Sequence, residues 1–228
     1  NFLDKILNLG LVTSCYKAVD LASDYDLLDI LNWLHLSGLK IQYSDRAIDN
    51  ASINGHIHIL DWWFNSGLEL KYSVNAIDYA SRRKHIHILD WWLNSGLELK
   101  YSMNAIDNLI EDHINVLDWW LNSGLELRYA SYAINSASLS GNLDVLNWWL
   151  GSNLELKYDE CAINWASAQG CLDVLNWWVN SGLELKYDEN AINWASVNGH
   201  VEVLNWWLDS GLELKYYTNI YGYGFYER

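Results

Sequence analysis

The sequence predicts an all-α fold: a helix-turn-helix solenoid with short extended connectors would satisfy the pattern. Three observations carry this prediction. Aromatic residues recur in phase, because Trp33, Trp62, Trp91, Trp119, Trp148, Trp177 and Trp206 stand 29 residues apart except for one step of 28. Each copy contains apolar residues at helical spacing, and nearly every copy closes that stretch with a glycine at the same position. Periodicity of this length signals a stacked array rather than an ordinary single-core domain.

The elements follow in order. LDKILNLG, residues 3–10, matches LDWWFNSG in phase, so 1–17 reads as a partial repeat, 18–216 as seven helix pairs and 217–228 as a divergent tail of one array, 1–228. Within a copy, AIDYASRR from Ala76 predicts a short helix A, and HIHILDWWFNS from His56 a helix B. At about 100° per residue, Ile57, Ile59, Leu60, Trp62, Trp63 and Phe64 cover an arc of roughly 220°, leaving His58, Asp61 and Asn65 as a narrow polar stripe. A helix that apolar must be covered on several sides, by its own helix A and by the helices B of neighbouring copies. Gly38, Gly67, Gly96, Gly124, Gly182 and Gly211 follow helix B where a left-handed residue ends a helix, and Asn153 takes that place in the remaining copy. LELKY then alternates with period two, as an extended connector with one buried edge. The single deletion falls between Leu109 and His113, where it is expected to be absorbed by the turn between the helices.

Helix A followed by a GH-type turn, helix B and a closing glycine resembles the ankyrin repeats. TPLHLAAxxGHLEIVKLLLEAGADVN lies over NAIDYASRRKHIHILDWWLNSGLELK without a gap, placing Ala80 and Ser81 on the Ala pair, His85 on the GH histidine and Trp91, Trp92 and Leu93 on the Leu triplet. The likeness runs from Leu3 to about Tyr216. The departures are consistent: Thr-Pro becomes Asn-Ala, the TPLH histidine becomes Asp or Asn, and the unit is shorter than the usual roughly 33 residues, so the resemblance implies an all-α, ankyrin-like helix-turn-helix solenoid with reduced or absent β-hairpins. This Trp-rich short variety is similar to arrays encoded by giant DNA viruses of amoebae and by some protists. The resemblance implies that both tryptophans of each WW pair are core residues and that the GH imidazole bridges adjacent turns. It also implies that helix A and the connector line a concave face that binds another protein, in the host cytoplasm if the chain is viral.

Composition narrows the function classes. With 14 basic against 29 acidic residues the formal net charge is -15, which disfavours nucleic acid and anionic membranes, both of which are recognised through clustered Lys and Arg. No apolar run approaches the roughly 20 residues that span a bilayer. Three cysteines, Cys15, Cys161 and Cys171, form neither a disulfide framework nor a metal spacing, pointing to a reducing, intracellular compartment.

Candidate chemistry is thin. His56 with His58, and His85 with His87, form HxH pairs, but the GH slot is filled elsewhere by Leu27, Asn142 and Cys171, a variety no metal array tolerates. Asp20, Asp49, Asp78 and Asp107 continue as Asn135, Asn164 and Asn193, so the row reads as a hydrogen-bonding ladder in which three of the seven members cannot do acid-base work. Asp61, Asp90 and Asp118 switch to Asn147, Asn176 and Asn205 at the same copy. Cys161 and Cys171 lack a base to activate them, and Arg82 to His85 reads as a solvated basic turn. No catalytic, cofactor, metal or small-molecule site is assigned.

Function is therefore sought where the copies differ. On the helix A wheel Ala76, Ile77, Ala80 and Ser81 share one side, and Asp78, Tyr79 and Arg82 the other. The candidate partner-binding residues are Asn50, Tyr79, Arg82, Arg83, Asn108, Ser136, Trp165 and Trp194, with Trp165 and Trp194 expected to be partly exposed and stacked on each other. Aromatic residues and Arg are the usual anchors of protein interfaces. The expectation is a non-enzymatic protein-protein interaction scaffold. The alternatives are a structural or self-assembling component and, from family analogy alone, the substrate-binding arm of a ubiquitin-ligase adaptor.

Overall fold

The structure is a computed structural model that describes residues 16–38, 41–109 and 113–217. Most of the expected partial repeat and the tail after Tyr217 lie outside these residues. The described residues are helical without strands, in seven pairs: α1 (Tyr16–Asp24) and α2 (Leu28–Leu36), α3 (Arg46–Ile53) and α4 (Ile57–Asn65), α5 (Asn75–Arg82) and α6 (Ile86–Asn94), α7 (Asn104–Asp107) and α8 (Ile114–Asn122), α9 (Tyr132–Leu139) and α10 (Leu143–Gly151), α11 (Cys161–Ala168) and α12 (Leu172–Asn180), α13 (Asn190–Val197) and α14 (Val201–Asp209). The chain divides into two compact units, Asn1–Ala105 with Trp119–Glu126 and Ile106–Asp118 with Leu127–Arg228. Helices α1 to α6 belong to the first and α9 to α14 to the second.

In the first unit the odd-numbered helices α1, α3 and α5 stack on one another, each also packing on the helix B that follows it; α9, α11 and α13 do the same in the second. The fronts between successive helices B are narrower. The reason lies in residue size. Ala47, Ala51, Ala76 and Ala80 in the first unit, and Ala137, Ala162, Ala166 and Ala191 in the second, are buried and small enough for helix A backbones to approach closely. Helix B ends by a fixed device. Ser66 Oγ donates to the Trp63 carbonyl at 2.8 Å and accepts from the Leu68 N–H at 3.2 Å. Gly67 between them takes φ +71°, a conformation in which a Cβ is strained. Asn153 adopts it at φ 60°, as expected.

Two expectations change. The deletion is not absorbed by the turn alone: α7 keeps only Asn104–Asp107, where the other helices A have eight or nine residues. Register survives, because Val116, Leu117 and Trp120 of α8 are as buried as their counterparts elsewhere. Nor do the two tryptophans of a pair play the same part. The second, at Trp63, Trp92, Trp120, Trp149, Trp178 and Trp207, is almost wholly enclosed. Except at Trp149, its indole N–H donates to a helix A serine of the preceding copy, Trp63 to Ser23, Trp92 to Ser52, Trp120 to Ser81, Trp178 to Ser138 and Trp207 to Ser167. The first Trp is only half-buried. It lies edge-on against the second, with Trp177 and Trp178 centroids 5.1 Å apart at 89°, and donates to a side-chain oxygen of the preceding helix B, Trp91 to Asp61 and Trp177 to Asn147. Two indoles at adjacent helix positions point about 100° apart, so only one can face the stack squarely.

The connectors add a third ladder. The Tyr72 ring sits 4.8 Å from Trp92 of the next copy, its hydroxyl donates to the Glu98 carbonyl, and the Lys100 ammonium lies 4.5 Å over its face. Tyr158 with Trp178, Glu184 and Lys186 repeats this in the second unit. Glu69, Glu98, Glu155 and Glu184 project into solvent, as the period-two alternation predicts.

Replacing Trp178 with Ala should therefore cost about 3 to 5 kcal/mol as a core cavity. The same change at half-buried Trp177 should cost roughly 1 to 2 kcal/mol. Urea unfolding of the two single variants measures both, and equal losses would mean that the exposed edge of Trp177 makes no difference.

Candidate interaction surface

The polar side of helix A is divided by the stacking. Asp49 and Asp78 in the first unit, and Asn135 and Asn164 in the second, point inward and are buried, so the expectation that Asp78 shares the outward side with Tyr79 and Arg82 is corrected. Each bonds the turn that opens the next helix A. Asp78 accepts from the Ser102 N–H at 2.9 Å and the Ser102 hydroxyl at 2.5 Å, and Asp49 holds Ser73 in the same way. From Asn135 onward, in the second unit, the polarity inverts. Asn135 Nδ2 donates to Asp159 Oδ1 and Asn164 Nδ2 to Asp188 Oδ1, both at 2.7 Å. Asp107 accepts from the Ala130 N–H at 2.8 Å. The ladder is legible in sequence as a row of Asp and Asn. Its partners were missed, although Ser44, Ser73 and Ser102 change to Asp159 and Asp188 as Asp on helix A changes to Asn.

The inversion has electrostatic consequences. Burial raises the Asp49 and Asp78 carboxyls above the ordinary carboxylate range, against the lowering effect of Ser73 and Ser102. Burial likewise raises Asp107. For Asp159 burial also pushes upward, but hydrogen bonds from Ser131, Cys161 and Asn135 together outweigh it and hold the carboxyl low.

The outward positions follow one residue after the ladder. In the first unit Tyr79 is 40% exposed, Asn50 is half-buried and Arg82 and Arg83 are exposed, with Arg83 Nη1 donating to Asn54 Oδ1 at 3.2 Å. In the second, Trp194 is 36% exposed, Trp165 and Asn108 are half-buried, and Ser136 is fully enclosed, its hydroxyl turned to the Ala133 carbonyl. Ser136 cannot meet a partner while α9 stays packed. The small Ser side chain sinks between neighbouring helices where a Trp or Tyr must stand out. Trp165 and Trp194 do not stack on each other; Trp165 instead meets Tyr132 of the preceding helix A edge-on, with centroids 6.0 Å apart. Tyr132, 39% exposed, is a surface aromatic that the position-by-position comparison missed because it lies one turn earlier on its helix.

The remaining candidates are structural in their contacts. His56 Nε2 bonds the Asp24 carbonyl and His200 Nε2 the Ala168 carbonyl, each bridging to the preceding turn at 3.0 Å. The ring lies flat on that turn: a Cβ added to Gly170 would come within 2.8 Å of His200, so the turn glycine is demanded by contact as well as by φ. Burial, then the neighbouring His87, lowers the His85 pKa. In the same slot Asn142 caps α10, accepting from the Val145 N–H. Burial and the nearby Asp159 push the Cys161 thiol up to about 11, and a protonated thiol is a poor nucleophile at neutral pH. Among the described residues no three His, Cys, Asp or Glu side chains converge as a metal site would require, and no helix is long and apolar enough to cross a membrane. The sequence matches no protein-family model and no curated protein sequence.

Two outcomes follow from the ladder. Asp78→Asn keeps an acceptor for the Ser102 N–H but removes the titrating group. A carboxyl with a raised native pKa binds its proton more tightly when folded, so wild type gains stability relative to the variant as pH falls through that raised value toward the ordinary one. Chemical unfolding at a series of pH values between about 7 and 4.5 tests this; a constant difference between the two proteins would contradict it. At the other end, Asn193 Nδ2 is buried without a partner, and Tyr217 stands where Asp159 and Asp188 stand for the earlier rungs. Tyr217→Asp should complete the last rung and add roughly 0.5 to 1.5 kcal/mol, read as a higher unfolding midpoint.

Proposed function

We propose that this chain is a non-enzymatic protein-protein interaction scaffold of the ankyrin-like kind, which holds a partner protein on the outward side of its helices A. The observation that carries the reading is the contrast between constant and variable positions. Residues that join copies repeat almost unchanged, as with the buried Trp, the Tyr and Lys of the connector and the closing Gly. The residue following each ladder rung changes from copy to copy as Leu21, Asn50, Tyr79, Asn108, Ser136, Trp165 and Trp194. A scaffold constant within and varied on one face is what recognition of a particular surface requires. Tyr79 with Arg82 in the first unit, and Trp194 with Trp165 and Tyr132 in the second, are the anchors, being large, rigid and accessible. The ankyrin resemblance and the free thiols of Cys161 and Cys171 support an intracellular place of action, the host cytoplasm for a viral product.

Site-specific photocrosslinking in a host-cell extract tests this directly. A crosslinker at Tyr79 or Trp194 should trap a discrete protein, and one at the exposed helix B residue Asn94 should not. With the crosslinker at Tyr132, in the same unit, Trp194→Ala should reduce the yield at least tenfold, at a stability cost of only about 1 kcal/mol because the side chain is partly solvated. Trapping from Asn94 alone, or an undiminished yield, would move the binding face elsewhere.

A further inference from the structure

In the second unit two features of helix A change together. The copies that place Trp at the variable position also open helix A with two acids, as DECAINW at 159–165 and DENAINW at 188–194. The first unit has Ser44 and Ser73 where Asp159 and Asp188 stand. The rings and carboxylates lie along one edge. Ser131 Oγ donates to Asp159 Oδ2 at 2.8 Å, one residue before Tyr132, and Asn164 Nδ2 donates to Asp188 Oδ1 at 2.7 Å, one residue before Trp165. Tyr132 and Trp165 are themselves in edge-on contact. Glu160 and Glu189 stand at the openings of α11 and α13, and neither caps its helix through the side chain. The acidic field reaches the aromatic edge: after burial and the bond to Asp159, the charges of Asp159, Glu160 and Asp188 push up the thiol of Cys161, one helical turn before Trp165.

The chain brings no cation of its own to this edge. Helices A of the unit with their flanking turns, 130–142, 159–171 and 188–200, contain no Lys or Arg. Among the described residues none of these carboxylates forms an ion pair, and no Lys or Arg lies over Tyr132, Trp165 or Trp194. The connectors of the same unit show the contact in its completed form, with Lys157, Lys186 and Lys215 at 4.5 to 4.6 Å over the rings of Tyr129, Tyr158 and Tyr187.

We propose that this edge, built on α9, α11 and α13, binds a cationic segment of the partner protein, with an arginine or lysine side chain against Trp165 or Trp194 and paired with Glu160 or Glu189. The inference rests on the helix A side being the binding face and adds the chemistry of what is bound there. An aromatic face attracts a cation through its ring quadrupole, indole most strongly, and flanking carboxylates complement the same charge. A neutral or acidic segment would instead desolvate the carboxylates without pairing them, which is costly.

A labelled peptide of alternating Gly and Arg is the probe for the full chain, followed by fluorescence anisotropy, with a peptide of alternating Gly and Glu as its counterpart. The Arg peptide should bind saturably and the Glu peptide should not. Glu160→Gln with Glu189→Gln should weaken binding at least fivefold, and so should Trp165→Leu with Trp194→Leu. Asp173→Asn with Glu202→Gln removes the same charge from exposed helix B positions of the same unit and should leave the affinity within twofold. Absence of saturable binding, equal losses in both charge variants, or binding indifferent to the two Trp changes overturns the proposal. The charge variants keep the test decisive if the Trp variant misfolds. A crosslinker at Tyr132 whose yield survives Glu160→Gln with Glu189→Gln overturns the cation and leaves the face standing, whereas failure to trap any protein from Tyr79 or Trp194 overturns the face itself.

Discussion

Every copy after the first, where Leu34 takes the place, depends on an indole that it does not enclose by itself. Trp178 is buried by its own helix pair and by the preceding one, and its single polar atom reaches Ser138, 40 residues earlier in the chain. An indole N–H shut away from water without an acceptor costs on the order of 1 to 3 kcal/mol, so the serine is as necessary as the cavity. The serine in turn is enclosed by the same neighbour. Neither group is satisfied within one copy, which makes stacking a condition of folding.

The other ladders are arranged around that contact. The connector tyrosine lies against the same Trp, with the next copy's backbone carbonyl on its hydroxyl and the next copy's lysine over its ring. The first Trp of each pair runs along the outer edge and bonds the preceding helix B. The copy that holds Trp178 therefore touches its neighbour through an enclosed hydrogen bond, a half-exposed one and a cation against an aromatic face, all in one register. A slip of one residue would swing the second Trp about 100° away from its serine.

Against this constant frame the Asp and Asn rungs show how a buried polar contact can be rewritten. Asp with Ser and Asn with Asp place the same number of hydrogen bonds across the same gap, but the buried charge moves from helix A to the turn, where burial is less. Asp78 is raised by desolvation whereas Asp159 is held low by its donors. The two solutions occupy different copies and differ in how they respond to acid.

The helical repeat, its phase and both turn devices were legible in the sequence because they are local: period, a left-handed glycine and an apolar arc each act within one copy. The outward Tyr79 and Trp194 were legible for the same reason, as variation at one position. Which of two adjacent tryptophans is buried, that Asp78 faces inward beside an outward Tyr79, and that Ser136 is enclosed could not be read from one copy, because the neighbouring helix decides them. The shortening of α7 belongs here too, since a missing residue may be taken from a turn or a helix and only the packing of Trp120 and Leu117 selects the register to keep. The sequence by itself determined the unit and its repetition; the tertiary structure decided which face of each unit meets the next, because that choice rests on contacts between residues 24 to 40 positions apart.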